Sequence, residues 1–254
     1  MSHRVYFPPE LGPIRSRIGR PLAGTGRNST EGHDAEDMRK TSSDPGVCLI
    51  ANAERGDAAL ARIATALEAT QAATLILVPA GEGQIDPAVA RPLVEMAQRK
   101  KIAALIADDV PAARATGADG VHLSARPEIE DAYEAARTAL GPEAIVGADA
   151  GDSRHDAMTL GEAGADYVAF GRNPASYGTD AARETQRELV AWWAEVFVVP
   201  VVAVDVETPE DASDLTACGA DFVAVRLPDA SQAVEDEAWA SALVAALRMS
   251  ASAA

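Results

Sequence analysis

Three acids in this chain fall where a strand-like apolar run gives way to a loop. They are Asp108 after residues 103–106, Asp149 after residues 144–147, and Asp205 after residues 201–204. Carboxylate oxygens at such points could hold a hard divalent cation such as magnesium. For any one of them alone, a helix cap or a water-facing acid is the plainer reading. Two cations occupy equivalent places, Arg172 after residues 167–170 and Arg226 after residues 222–225. They are the best-placed partners for a phosphate, with Asn173, Ser176 and Thr179 as hydrogen-bonding groups in the loop that Arg172 opens. In so acidic a chain each arginine also suits a surface ion pair. His122 lies inside the run 120–123 and could touch a ligand or carry a proton; a packed strand histidine fits equally well. His155 reads as a surface helix residue behind Asp152 or Ser153 as N-cap. Trp192 and Trp193 read as wall packing. There is no Ser-His-Asp set and no P-loop, and Gly81-Glu82-Gly83 lacks the third glycine of a dinucleotide fingerprint.

Those residues share a place because of the elements around them. Apolar, β-branched runs predict strands at 47–51, 74–78, 103–106, 120–123, 144–147, 167–170, 201–204 and 222–225. Between and after them, helical periodicity predicts helices at 57–69, 88–99, 110–115, 129–140, 154–163, 182–196, 209–217 and 233–249. Strict alternation predicts an α/β fold, a single (β/α)₈ TIM barrel, with a doubly wound open sheet as the runner-up. A repeated phrase supports the barrel. It reads Gly117-Ala118-Asp119-Gly120-Val121, then Gly164-Ala165-Asp166-Tyr167-Val168, then Gly219-Ala220-Asp221-Phe222-Val223. Each copy is a helix stop followed by a strand start, at the end of the barrel away from chemistry.

Composition limits the partners. The net charge is −17, with 22 Lys and Arg against 39 Asp and Glu. Residues 1–45 carry a net charge of +1 and read as a disordered or loosely packed extension, rich in Pro, Gly and Ser. Residues 46–254 form the barrel and carry the acidity, which repels nucleic acid and anionic membranes. No apolar run approaches the roughly 18 residues that a membrane span needs. Cys48 and Cys218 give no disulfide framework, which predicts buried thiols in a reducing, cytoplasmic setting. The expected partner is a small molecule, with a second copy of the chain as a further possibility.

Across residues 105–225 the chain resembles bacterial thiamine-phosphate synthases, of the superfamily that includes the TenI thiazole tautomerases. The resemblance rests on Leu105-Ile106-Ala107-Asp108-Asp109, Gly117-Ala118-Asp119-Gly120-Val121-His122-Leu123, Gly161-Glu162-Ala163-Gly164-Ala165-Asp166-Tyr167-Val168, Trp192-Trp193-Ala194-Glu195 and Pro200-Val201-Val202-Ala203-Val204. It implies a transferase of thiamine biosynthesis that joins a hydroxymethylpyrimidine diphosphate to a thiazole phosphate. Magnesium would neutralise the departing pyrophosphate and basic residues would hold its oxygens.

The ligand positions depart from that pattern. The family's Gln-Leu-Arg-x-Lys after the second strand is Ile76-Leu77-Val78-Pro79-Ala80 here, without a cation. Its Gly-Gln-x-Asp after the fourth strand is Ser124-Ala125-Arg126-Pro127, and its Thr/Ser-x-His after the fifth is Asp149-Ala150-Gly151. The Gly-Gly after the seventh is Asp205-Val206, and the Val-Ser after the eighth is Arg226-Leu227. These replacements predict a diverged paralogue with reduced or lost synthase activity. Three functions stay open: a synthase with a rebuilt site, a non-catalytic barrel that binds a thiamine precursor, and a metal-dependent enzyme of another class acting on a non-phosphorylated molecule.

Overall fold

A computed structural model describes residues 45–228 and 236–253. The extension expected over residues 1–45 falls almost wholly outside that range. The eight strands are β1 (Gly46–Ala53), β2 (Thr74–Pro79), β3 (Ala103–Ala107), β4 (Gly120–Leu123), β5 (Ile145–Asp149), β6 (Val168–Phe170), β7 (Val201–Val206) and β8 (Phe222–Arg226). They pair in chain order, all parallel, and β8 closes on β1. This is the predicted (β/α)₈ barrel. The helices α1 (Asp57–Ala69), α2 (Pro87–Arg99), α3 (Val110–Thr116), α4 (Ile129–Leu140) and α5 (Arg154–Glu162) cross between the first six strands. After β6 come a short turn of helix, α6 (Pro174–Tyr177), and the long α7 (Thr179–Val196); α8 (Pro209–Ala217) and α9 (Asp236–Ala253) follow. The α6 turn was expected as plain loop. Asn173 caps it and Pro174 opens it, a start signal too short to show as periodicity.

Strand alternation divides the apolar residues into two cores. Outward side chains such as Leu49, Leu75, Val146 and Val223 pack under the helices with Trp193, Tyr133 and Leu160. Inward ones, including Cys48, Leu105, Ile145, Tyr167, Val202 and Phe222, fill the lower barrel. Gly147 is what admits Tyr167. A Cβ on Gly147 would stand 1.9 Å from the tyrosine Cζ.

The repeated phrase has a defined job at the amino-terminal ends of the strands. Gly117, Gly164 and Gly219 take φ of 72°, 86° and 105°, the left-handed turn that ends each helix. The aspartate then joins its strand to the preceding one. Asp119 N donates to Ala104 O, and Ala104 N donates to the Asp119 carboxylate, both at 2.8 Å. Asp166 does the same with Val146, and Asp221 with Val201. Each copy therefore extends the ladder by one reciprocal link, made with a side chain where the backbone pairing runs out.

At the opposite end, side chains cap the helices that leave the strands. Asp109, Ser153 and Thr208 accept from the backbone N–H groups of Ala112, Asp156 and Asp211. The loops at the mouth are thereby anchored on the helix side and open toward the axis.

Candidate functional site

A cavity of about 650 Å³ opens at the carboxyl-terminal ends of the strands. Ile50, Ile76, Val78 and Ala107 give the β1–β3 side an apolar wall, and Val204 adds to it from β7. The β4–β7 side is polar, with His122, Asp149, Asp152, Asp156 and Asp205 among its lining residues.

His122 is 7% exposed and points inward from β4. Its Nδ1 lies 2.9 Å from the Tyr167 hydroxyl, and the rings stack at an interplanar angle of 11°. Among the described residues that ring nitrogen is the only hydrogen-bond partner of the buried phenol. The other ring nitrogen, Nε2, has no hydrogen-bond partner among the described residues, and the His122 side chain lines the cavity. Burial lowers the His122 pKa to about 4, against a smaller upward pull from Asp205. The imidazole is neutral at physiological pH.

Asp149 is also 7% exposed and inward, at the end of β5. Its Oδ1 accepts from Gly151 N at 2.8 Å and Gly171 N at 3.1 Å. Burial raises its pKa to about 6, with Asp205 and Asp152 pushing the same way and the two backbone N–H groups opposing. Asp205 sits at a bulge in β7, where the register to β8 shifts, and holds φ at 56°. That left-handed backbone turns its carboxylate toward β6, where its Oδ2 accepts from Arg172 N at 2.9 Å. Gly171 lies between the two acids. A Cβ on it would stand 2.9 Å from Asp149 Oδ2 and 3.0 Å from Asp205 Oδ2.

The other expected residues divide. Arg226 lines the cavity from β8, and no described acid lies within ion-pair distance of it. Asn173 also lines it, while capping α6 and donating to Asp152 Oδ2 at 3.3 Å. Ser176 and Thr179 are exposed and outside the cavity lining, because α6 carries them over the rim.

Arg172, expected to hold a phosphate, is turned into the scaffold. Its side chain is 7% exposed, its Nη2 lies 3.1 Å from Asp211 of α8, and its Nε donates to Gln186 at 2.9 Å. Gln186 in turn donates to Phe170 O and Val204 O, joining the ends of β6 and β7. Only the Arg172 backbone reaches the acids at the mouth.

The proposed metal set of Asp108, Asp149 and Asp205 is not assembled. Asp108 lies outside the cavity lining; its carboxylate accepts from Ser124 N at 2.9 Å and Ser124 Oγ at 2.6 Å, and pairs with Arg126. Among the described residues no group of three or more His, Cys, Asp or Glu is arranged to hold a metal ion. Of the three acids, only Asp149 and Asp205 face the cavity together. His155 is exposed, Trp193 is fully buried against Phe170 and Phe197, and both cysteines are free thiols. Among the described residues no helix is long and apolar enough to cross a membrane.

Comparison with known proteins gives a consistent picture. The family model described as thiamine monophosphate synthase matches residues 47–227. A thiamine-phosphate synthase from Erythrobacter litoralis is 40% identical over 139 residues, covering 54% of this chain and 64% of that protein. One from Rhodospirillum centenum is 41% identical over 137 residues, covering 54% and 63%. The chain thus spans a little under two thirds of the length of these curated relatives. Among solved structures, a thiamine phosphate pyrophosphorylase from Pyrococcus furiosus superposes with a TM-score of 0.62 at 21% identity, over 83% of this chain and 99% of that one. That likeness is one of fold.

Proposed function

We propose, from the premise that this chain belongs to the thiamine monophosphate synthase family, that it is a diverged member which binds a small molecule lacking a phosphate and has reduced or lost synthase activity. The observation that carries this reading is the reversal of charge at the mouth. Asp149 and Asp205 face the cavity across Gly171, while the Arg172 guanidinium is locked to Asp211 and Gln186. A diphosphate entering here would meet carboxylates where stabilisation of its developing charge is needed. Two like charges about 4 Å apart repel by roughly 4 kcal/mol near a protein surface. A lost oxyanion contact typically costs about 3 kcal/mol, or ~10²-fold in rate. Arg226 alone cannot offset several such losses.

Magnesium has no step in this reading, since Asp108 is held by Ser124 and Arg126. The apolar wall and the neutral His122 support a ligand body that is flat and largely uncharged. Free thiols support a reducing compartment such as the cytoplasm.

The test is direct. The chain at high concentration is incubated with hydroxymethylpyrimidine diphosphate, thiazole phosphate and magnesium, and thiamine phosphate is measured. No product above the uncatalysed background is expected. A parallel thermal-shift series should show stabilisation by the dephosphorylated precursors and none by the phosphorylated ones. Turnover matching that of an ordinary family member would overturn the reading.

A further inference from the structure

Apolar side chains reach solvent mainly at one place on the barrel wall, far from the mouth. Among the described residues four large apolar side chains are exposed, and three of them, Met158, Val196 and Val198, belong to α5 and the end of α7. The two helices meet where Gly161 faces the Trp193 ring and the Arg154 guanidinium lies 4.8 Å from the centre of the Trp192 ring. Met158 follows Arg154 by one turn on the same face of α5. Half-buried Trp192 and Phe197, with ring centres 5.5 Å apart, continue the stripe to Val198, which is 83% exposed. A contiguous apolar surface of this kind, bordered by polar groups, marks a contact site.

The border is acidic. Glu162 lies one turn beyond Met158, and Glu188 and Glu195 share the α7 face of Trp192. All three are exposed, and none makes an ion pair among the described residues. The surface therefore suits an occupant that is both apolar and basic. A second copy of the barrel fits poorly, since a two-fold contact would bring these acids against themselves.

The chain itself carries such a segment. Residues 1–30 hold five arginines against one acid, Glu10, whereas residues 31–44 hold two cations against five acids. In the basic stretch the arginines are interleaved with apolar residues, Arg4 with Tyr6 and Phe7, and Arg15 and Arg17 with Ile14 and Ile18. This stretch also joins the barrel at the right end. Gly46 N donates to Asp221 O at 2.9 Å and Asp221 N donates to Val201 O at 3.0 Å. The starts of β1 and β7 are thus two strand spacings apart, about 10 Å, and Val198 stands just before β7. The intervening residues 23–44 can span up to roughly 70 Å. We propose that residues 4–22 dock on the α5–α7 stripe of their own chain. Their apolar side chains cover Met158, Trp192 and Val198, and their arginines face Glu162, Glu188 and Glu195. The tether makes this contact intramolecular, so modest contacts suffice to fill it.

Limited trypsin digestion of the full chain, followed by mass spectrometry, tests it. Cleavage after Arg15 and Arg17 should be at least ~10-fold slower in the unmodified chain than in a Met158→Gln, Val198→Asn double variant. Cleavage after Arg39 and Lys40 should be the same in both. The two substituted side chains are exposed, so an unchanged urea midpoint is expected for the variant. Glu188→Gln with Glu195→Gln leaves the apolar stripe intact and should also speed cleavage after Arg15 and Arg17, by at least ~3-fold at low salt. Glu82→Gln, in the exposed loop between β2 and α2, controls for the general field of an acidic protein and should change nothing. Equal cleavage after Arg15 and Arg17 in the unmodified chain and the stripe variant would overturn the docking. So would a release by Glu82→Gln as large as that by the α7 pair. Protection that rises over a ~50-fold range of chain concentration would show a neighbouring chain as the source of the segment and overturn the intramolecular contact.

Discussion

The two ends of this barrel use aspartate in opposite ways. At the amino-terminal end, Asp119, Asp166 and Asp221 each accept from a backbone N–H of the preceding strand, and each returns a bond to the same residue. Asp166 also pairs with the half-buried Arg137. At the carboxyl-terminal end, among the described residues, Asp149 and Asp205 are held only by backbone N–H groups and face one another across Gly171. The first set is compensated and structural. The second makes no ion pair among the described residues and leaves its charge at a cavity. The same residue type thus makes a compensated joint at one end and an acidic cavity wall at the other, and its hydrogen-bond partners are what tell the two apart.

The largest effect should come from breaking the compensated end. Asp166→Ala leaves the Val146 N–H without its acceptor and Arg137 without its carboxylate. The expected loss is about 3 kcal/mol of folding stability, read as a lower denaturation midpoint in urea. Asp119→Ala, which strands no arginine among the described residues, should lose about 1–2 kcal/mol. If the two variants fall equally, the Arg137 pair contributes nothing and the difference between the copies is cosmetic.

At the mouth the sign reverses. Asp149 binds its proton more tightly folded than unfolded, because burial lifts its pKa from 3.8 to about 6. Its cost is therefore absent below pH 4, grows as pH rises from 4 to 6, and is complete above 6. Asp149→Asn should stabilise the chain at pH 7.5 by on the order of 2 kcal/mol, with no gain below pH 4. His122 titrates the opposite way. Burial lowers its pKa from 6.5 to about 4, so its neutral form favours the fold above pH 6.5 and that advantage is lost as pH falls toward 4. Between pH 4 and 6 the two slopes oppose. Asp149→Asn should thus unmask a steeper acid sensitivity, and His122→Gln should make the chain gain stability on acidification. Urea midpoints from pH 4 to 8 check both. Parallel curves for all three proteins would sink the claim that these groups titrate in the cavity wall.

This contrast also explains what the sequence revealed. The barrel was legible because its strands and helices repeat with clear periods, and all eight predicted strands coincide with observed ones to within a few residues. Asp149 and Arg226 were legible as cavity residues because they continue the inward alternation of Ile145 and Gly147, and of Phe222 and Ala224. The same alternation could have corrected Arg172. Tyr167, Ala169 and Gly171 face inward, so Arg172 must face the helices, where Asp211 and Gln186 meet it. Asp205 escapes that rule because the bulge in β7 and its positive φ swing it back to the axis. Neither feature has a signature in the local residues. Nor does the aspartate link at the strand starts, since it depends on which residues of two strands come into register.

Gly171 permits a smaller test. Gly171→Ala keeps every charge but adds a methyl 2.9 and 3.0 Å from the two carboxylate oxygens. It should cost about 1–2 kcal/mol of stability and weaken any ligand that bridges the acids. An unchanged urea midpoint in this variant would show that the two carboxylates move apart at no cost.

The smallest structural change carries the most specific claim about divergence. Where the resemblance leads one to expect a glycine pair after β7, Asp205 stands with the left-handed backbone that glycine takes freely. Asp205→Gly removes a carboxylate and about 1 kcal/mol of backbone strain. It also adds freedom to the unfolded chain. These effects nearly cancel, so the melting temperature should hardly move. Affinity for inorganic pyrophosphate should respond, since Arg226 on the adjoining strand pairs with no acid among the described residues and would no longer share the mouth with Asp205. A gain of at least ~10-fold over the unmodified chain is expected, from a repulsion of a few kcal/mol partly screened by salt. No gain would mean that the missing phosphate site is not a matter of charge at position 205. The buried turn of Arg172 toward Asp211, fixed by β6 and α8 together, would then be the change that closed this mouth to phosphate.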